Sequence, residues 1–115
     1  MKILVCGGRD YHDRRNLFCA LDKISQENSI DLLIHGGATG ADMLAGAWAK
    51  SKGLPVRIFE ADWWTHGRAA GPMRNCRMLE EGRPDLVVAF PGGNGTTDMV
   101  SKAKKSGVRV IDPFA

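Results

Sequence analysis

The sequence predicts one doubly wound α/β domain over residues 1–115, a five-stranded parallel sheet with helices on both faces. Three observations predict it. Short apolar clusters alternate with segments of helical spacing, several of the clusters are continuously apolar in the manner of strands buried on both faces, and three of them run into glycine-rich turns. With 115 residues, 43% hydrophobic and 25% charged, the chain is long enough to bury a core without staples. The same figures set it apart from disordered or fibrous chains.

In order, the predicted strands are Lys2 to Cys6, Asp31 to His35, Pro55 to Phe59, Asp85 to Phe90 and Val108 to Ile111. Asp13 to Asn28 reads as the first helix, because Leu17, Leu21 and Ile24 recur at intervals of four and three. Ala41 to Lys52 reads as the second, with Ala41, Leu44, Ala45 and Trp48 on one stripe. A third begins near Gly71-Pro72, and in the fourth Thr96, Met99, Val100 and Ala103 repeat the core-facing stripe. Gly53-Leu-Pro55 and Gly107 are the helix stops. Strands joined through helices require right-handed crossovers. The strand order expected is the Rossmann-like 3-2-1-4-5, which puts a topological switch between the first and fourth strands. Glu60 to Gly71 shows no periodicity and is expected to be a long functional or mobile loop.

Several function classes are disfavoured at once. Sixteen Lys+Arg against 13 Asp+Glu leave a net charge of +3, too small and too dispersed to predict nucleic-acid binding. Leu86 to Phe90, among the longest apolar runs, falls far short of the roughly 20 residues of a membrane helix. Met1 to Cys6 is interrupted by Gly7-Gly-Arg-Asp10 before a signal core forms, so cytoplasmic residence is expected. Cys6, Cys19 and Cys76 are odd in number and contain no CxxC pair. They read as reduced packing residues rather than a disulfide or zinc framework. No metal and no cofactor are expected.

The chemistry gathers at three strand ends: Cys6-Gly7-Gly8-Arg9-Asp10, His35-Gly36-Gly37-Ala38-Thr39-Gly40-Ala41-Asp42 and Phe90-Pro91-Gly92-Gly93-Asn94-Gly95-Thr96-Thr97. A parallel sheet brings the carboxyl ends of its strands to one edge, where these clusters would converge. Glycine there exposes main-chain N–H groups to a ligand, and at a following helix N-terminus those groups bind anions. Short βα loops also need glycine merely to turn. Three clusters on one edge, with threonines beside them, favour a phosphate cradle. It is neither a Walker motif nor a GxGxxG fingerprint.

Pro91-Gly-Gly-Asn-Gly-Thr96 resembles the PGGxGT signature of the SLOG superfamily, which joins LOG-type phosphoribohydrolases, DprA/SMF DNA-processing proteins and YpsA/YspA-related proteins. Gly7-Gly-Arg-Asp-Tyr11, His35-Gly-Gly-Ala-Thr-Gly-Ala-Asp42 and His66-Gly-Arg-Ala-Ala-Gly-Pro-Met-Arg-Asn75 are similar to its YspA-related branch of phage and bacterial proteins. The resemblance spans essentially the whole chain. It implies a Rossmann-like fold with a nucleotide-type ligand over the strand ends. LOG-type enzymes cleave the N-glycosidic bond of a nucleoside 5′-monophosphate with an Arg in R-K-x-x-M and the last Glu of PGGxGTxxE. Here Arg74-Asn75-Cys76-Arg77-Met78 keeps the Arg and Met but has Asn75 for Lys. Met99 occupies the glutamate position, with Asp98 one residue earlier, about 100° around a helix.

Candidate catalytic residues are therefore Arg74, as a bidentate phosphate ligand, and Asp98 or Asp62 as the carboxylate. Asp62 precedes Trp63-Trp64, and an indole face beside it would raise its pKa. Asp42 serves equally well as a ribose contact or a helix cap. The ligand-binding set comprises Gly7, Gly8, Arg9, Asp10, Gly36, Gly37, Thr39, Gly40, Asp42, Asn75, Gly92, Gly93, Gly95, Thr96 and Thr97. His66 lies in a stretch that would close over the ligand. Trp63 and Trp64 would stack on a base or bury a dimer interface, and Arg77 would pair with Glu81 or Glu80 on a solvated helix face. The function expected is binding of a nucleotide or nucleotide derivative, with hydrolysis of a nucleoside 5′-monophosphate as its enzymatic form. A non-catalytic nucleotide sensor or sequestering protein is the alternative, and single-stranded DNA binding a third and weaker one. LOG-type relatives imply a homodimer or higher homo-oligomer.

Overall fold

The alternation of apolar residues along each inner strand decides which helices cover which face. The computed structural model describes residues 1–114. Its strands are β1 (Lys2–Cys6), β2 (Leu32–His35), β3 (Val56–Ile58), β4 (Leu86–Ala89) and β5 (Arg109–Ile111). The helices are α1 (Arg14–Glu27), α2 (Ala41–Ser51), α3 (Trp63–His66), α4 (Ala70–Glu80) and α5 (Asn94–Lys105), with a 3₁₀ turn at Gly67–Ala69 before α4. All pairings are parallel and the order is β3-β2-β1-β4-β5.

Successive strand residues point to opposite faces. Ile3 and Val5 of β1, Leu33 of β2, and Leu86 and Val88 of β4 meet Leu17, Leu21 and Ile24 of α1 and Ala41, Ala45 and Trp48 of α2. Their neighbours Leu4, Cys6, Ile34, Val87 and Ala89 meet Met78 of α4 and Met99 and Ala103 of α5. This is the expected doubly wound, Rossmann-like α/β architecture. Trp48 is fully buried, and its indole N–H donates to Asp22 Oδ1 at 2.8 Å, the polar partner a buried tryptophan needs. That bond joins α2 to α1.

Both outer strands are three residues long and partly exposed, shorter than the sequence pattern suggests. Each carries an arginine, Arg57 or Arg109, as befits an unpaired sheet edge. The stretch from Glu60 to Gly71 is not a continuous loop. Asp62 caps a one-turn helix by accepting from Thr65 N at 3.1 Å, and the 3₁₀ turn leads directly into α4. The chain thus forms five helices over the described residues rather than the four expected. Of the cysteines, Cys6 is buried and Cys76 partly so, but Cys19 lies exposed on α1, which corrects its reading as a packing residue. Among the described residues, no helix is long and apolar enough to cross a membrane.

Two glycines with left-handed backbones separate steric from conformational demand. Gly40 has φ +75, and a Cβ there would run into the carbonyl oxygens of Gly8 and Arg9; Gly53 has φ +69 with nothing within 4 Å. Gly53→Ala is expected to lose about 1–2 kcal/mol of unfolding free energy, the cost of the left-handed conformation alone. Gly40→Ala is expected to lose more than ~3 kcal/mol. Urea denaturation of both variants checks the difference, and equal losses would show that the approach at Gly40 is unimportant.

Candidate functional site

The turns after β1, β2 and β4 meet at the carboxyl edge of the sheet, laced together by main-chain bonds. Gly8 N donates to Pro91 O at 2.8 Å, and Gly8 O accepts from Ala41 N at 3.1 Å. Thr39 Oγ1 donates to Arg9 O at 3.2 Å. A cleft of about 970 Å³ opens between the β1 and β4 turns, lined by Gly7 to Asp10, Asp42, Arg74, Asn75, Gly92 to Thr96 and Asp98. A smaller cleft of about 320 Å³ adjoins it, lined among others by Gly36, Gly37 and Thr39. Such a crevice at a topological switch is where open α/β sheets bind ligands.

The glycines divide into two kinds. A Cβ on Gly7 would strike Ala41, one on Gly36 the Arg74 guanidinium, and one on Gly92 Thr96 Oγ1. Packing of the turns requires Gly7 and Gly92, whereas the obstacle at Gly36 is the movable end of the Arg74 side chain. Gly93 and Gly95 are different: a Cβ on either would meet nothing within 4 Å, and neither has positive φ. They flank the start of α5, which has no side-chain cap. Its first main-chain bond is Thr97 N to Gly93 O at 3.1 Å. Among the described residues, the N–H groups of Asn94, Gly95 and Thr96 therefore have no hydrogen-bond partner, and these residues line the cleft. Bare N–H groups and the positive end of the helix dipole suit an anion.

Arg74, on the first turns of α4, extends across the β2 turn. Its Nη1 donates to Gly36 O at 2.6 Å and its Nε to Asn75 Oδ1 at 3.0 Å. Burial holds its pKa below the usual arginine value, opposed by Asp42 and reinforced by Arg9; the group nevertheless stays charged, as arginine does in proteins. Asn75 is buried, and its Nδ2 donates to Gly95 O at 3.2 Å and to Asp98 Oδ2 at 3.0 Å. Reversing the amide would break all three bonds, so its orientation is fixed. Asp98 also accepts from Lys102 Nζ at 2.8 Å. Burial disfavours its charge, but the bonds from Lys102 and Asn75 prevail and its pKa lies below the ordinary value. Met99, at the position of the family glutamate, is wholly buried in the layer between sheet and helices. The carboxylate that α5 presents to the cleft is that of Asp98.

Asp42 does not cap its own helix. Its Oδ2 accepts from Gly36 N at 3.1 Å and Ala38 N at 3.2 Å, so it braces the turn after β2 while lining the larger cleft. Burial pushes its pKa from 3.8 to about 6, against the counter-effect of Ala38 N–H, Arg74, Gly36 N–H and Arg9. His35, also buried, accepts from Gly37 N at Nδ1, 2.9 Å away. Burial and the nearby Arg74 lower its pKa.

Other expected residues lie apart. Asp62 is fully exposed and lines neither cleft; hydrogen bonds from Thr65 hold its pKa down, correcting the expectation that an indole would raise it. Thr97 Oγ1 donates to O of Gly93, the residue before α5, at 3.2 Å. Neither Thr97, Gly40 nor His66 lines a cleft. Trp63 lines both clefts, with the Arg9 guanidinium 4.9 Å from its ring centroid, whereas Trp64 is 98% exposed and lines neither. Arg77 pairs with Glu81 at 3.1 Å on the outside of α4. Sequence reasoning missed Tyr11 and Arg68 as lining residues. Tyr11 follows the Gly-Gly turn and Arg68 lies in the 3₁₀ turn that leads into α4, and those positions were the available signal. Among the described residues, no three His, Cys, Asp or Glu side chains stand together as metal ligands would.

A parallel sheet in this order with a glycine-lined crevice at its switch point defines a Rossmann-like α/β protein with a candidate ligand site. The chain belongs to the YspA, cpYpsA-related SLOG family, whose profile matches residues 1–66. It is 36% identical to the Gene 61 protein of Mycobacterium phage D29, over 96% of this chain and 94% of that protein. Among solved structures, its fold is similar to that of TM1055, a structural-genomics target (TM-score 0.74, 19% identity, 95% of this chain and 71% of that one). DNA processing protein A (DprA) from Streptococcus pneumoniae shares the fold more distantly (TM-score 0.51, 17% identity, 96% of this chain and 58% of that one).

The raised pKa of Asp42 has a definite sign in stability. As pH rises from about 4, the unfolded chain releases this proton before the folded one does. Asp42 therefore subtracts stability progressively between pH 3.8 and about 6, by at most ~3 kcal/mol at 1.36 kcal/mol per unit. Asp42→Asn removes that loss and keeps an acceptor for Gly36 and Ala38. Denaturation at pH 4 and pH 7 is expected to show the variant gaining on the parent protein as pH rises. His35 acts in the opposite sense, losing stability as pH falls through its unfolded pKa, and is common to both proteins. A constant difference between them would contradict the burial argument.

Proposed function

We propose that this protein binds a nucleotide or nucleotide derivative by its phosphate in the larger cleft. One observation carries the reading: Gly95 stands where the folded chain has no steric or backbone need of glycine, beside N–H groups left bare at the start of α5. Gly95 is the second residue of α5, where glycine costs up to about 1 kcal/mol relative to alanine. A ligand pressed against the main chain explains that cost. In this reading the N–H groups of Gly95 and Thr96 hold phosphate oxygens, with Arg74 supplying a guanidinium from the opposite side of the cleft. Asp10 is available to the ribose, and the edge of Trp63 bounds the base.

Gly95→Ala is expected to leave stability equal or higher by up to about 1 kcal/mol while weakening adenosine monophosphate at least about tenfold. Arg74→Lys should weaken it similarly, because an ammonium cannot reproduce the bidentate fork. Calorimetric titration against AMP, GMP, CMP and UMP, alongside thermal unfolding, checks this. Failure of all four to bind, or binding indifferent to both substitutions, counts against the cradle.

The pKa of Asp42 near 6 favours a second reading, in which the bound nucleoside monophosphate is hydrolysed. Water oxygen adds to C1′, the C1′–N bond breaks, and the base leaves with a proton. Asp42 suits the proton donor, and the anionic Asp98 would face the oxocarbenium-like charge. Release of free base, followed by chromatography, should then decline as pH rises through about 6 and vanish in Asp42→Asn. Tight binding with no base release identifies the sequestering form instead, for which Met99 in the core, where the family enzymes have glutamate, is the supporting feature.

A further inference from the structure

The two clefts have a common wall. Arg9, Ala38, Trp63 and Arg74 line both, and two of these four are cations. Neither arginine forms an ion pair among the described residues. Arg9 rests against the Trp63 ring, and Arg74 spends its hydrogen bonds on a carbonyl and an amide oxygen, so neither is held by a carboxylate in direct contact, although Asp42 acts on both from nearby. The larger cleft, at about 970 Å³, is close to the top of the roughly 300–1,000 Å³ range of small-molecule sites. A nucleoside monophosphate leaves its far side unfilled.

Beyond the wall the chemistry changes sign. The smaller cleft is floored by the turn from Gly36 to Thr39 and bounded by Glu60. A Cβ on Gly37 would come within 3.1 Å of Glu60 Cγ and 3.7 Å of its Oε1, so the Glu60 side chain lies along that glycine with its carboxylate beside the turn. Glu60 takes no hydrogen bond or ion pair among the described residues. A carboxylate repels a phosphate and accepts from hydroxyl groups. Along the path from one cleft to the other a ligand therefore meets bare N–H groups at α5, then two guanidiniums, then a hydrogen-bond acceptor.

We propose that the site takes a nucleoside 5′-diphosphate carrying a second sugar, its diphosphate crossing the Arg9–Arg74 wall and its terminal sugar donating hydroxyl hydrogen bonds to Glu60. This rests on the phosphate-cleft reading above and assigns the adjoining cleft a ligand class. The phosphate nearer the nucleoside lies on the first turn of α5, and the farther one lies between the arginines. The sugar fits the smaller cleft, whose volume of about 320 Å³ suffices for a pentose or hexose and whose walls offer no second cation beyond the shared pair.

Binding of AMP, ADP and ADP-ribose, and of UMP, UDP and UDP-glucose, to the parent protein and to Glu60→Ala and Arg9→Met tests it. In at least one base series the sugar diphosphate is expected to bind at least about tenfold more tightly than the monophosphate. Glu60→Ala should remove about tenfold from the sugar diphosphate alone, as loss of a charged hydrogen bond does, leaving the mono- and diphosphate unchanged. Arg9→Met should weaken both diphosphate forms more than the monophosphate. Glu60 is exposed, and unchanged thermal unfolding confirms that its variant is folded. Equal affinities for monophosphate and sugar diphosphate, or an effect of Glu60→Ala on all three ligands alike, overturns the two-cleft assignment while the phosphate reading stands. Absence of binding by every compound overturns both.

Discussion

The main chain of one residue, Gly8, holds together the sheet edge that carries the candidate site. Through its N–H, Gly8 takes the carbonyl of Pro91, and through its own carbonyl it takes the N–H of Ala41 at the start of α2. Three strand ends that are far apart in sequence are thereby fixed within hydrogen-bond length of one another. The glycines at 7, 40 and 92 are the consequence, since each stands where a side chain would wedge these turns apart. The cleft exists because the turns are held this close without filling the space above them.

Electrostatics then give the cleft its character. The rim gathers Arg9, Arg68 and Arg74 together with an uncapped helix start, while two acids on it serve the structure: Asp42 braces the β2 turn and Asp98 anchors Lys102. Burial works against ionisation at both Asp42 and Arg74. An anion entering the cleft would relieve the arginines and, by adding negative charge beside Asp42, encourage that carboxyl to hold its proton.

Much of this was legible in the chain. Parallel strands covered on both faces must be continuously apolar, so β1, β2 and β4 stood out, and the edge strands were overextended because no second layer of helix demands their outer residues. The stripe through Met99 and Ala103 already read as core-facing, which agrees with Met99 lying against the sheet rather than in the cleft. Asp62 was misread because two tryptophans beside it suggested an apolar shelter. The more local signal was an Asp three residues before Thr65, the spacing of a helix cap. The partners of Asp42 and Asn75 could not be read at all, since they are main-chain groups and side chains brought close only by tertiary packing.

The Asn75 amide has a mechanical meaning. One planar group grips Arg74 with its oxygen and the opening turn of α5 with its nitrogen, so the guanidinium and the helix start behave as two jaws of a caliper set to one width. A guest whose negative groups match that width closes on both at no cost in rearrangement. One that is too short or too long would pull a buried amide out of register, so a ligand bound as proposed would be gauged first by the spacing of its negative groups.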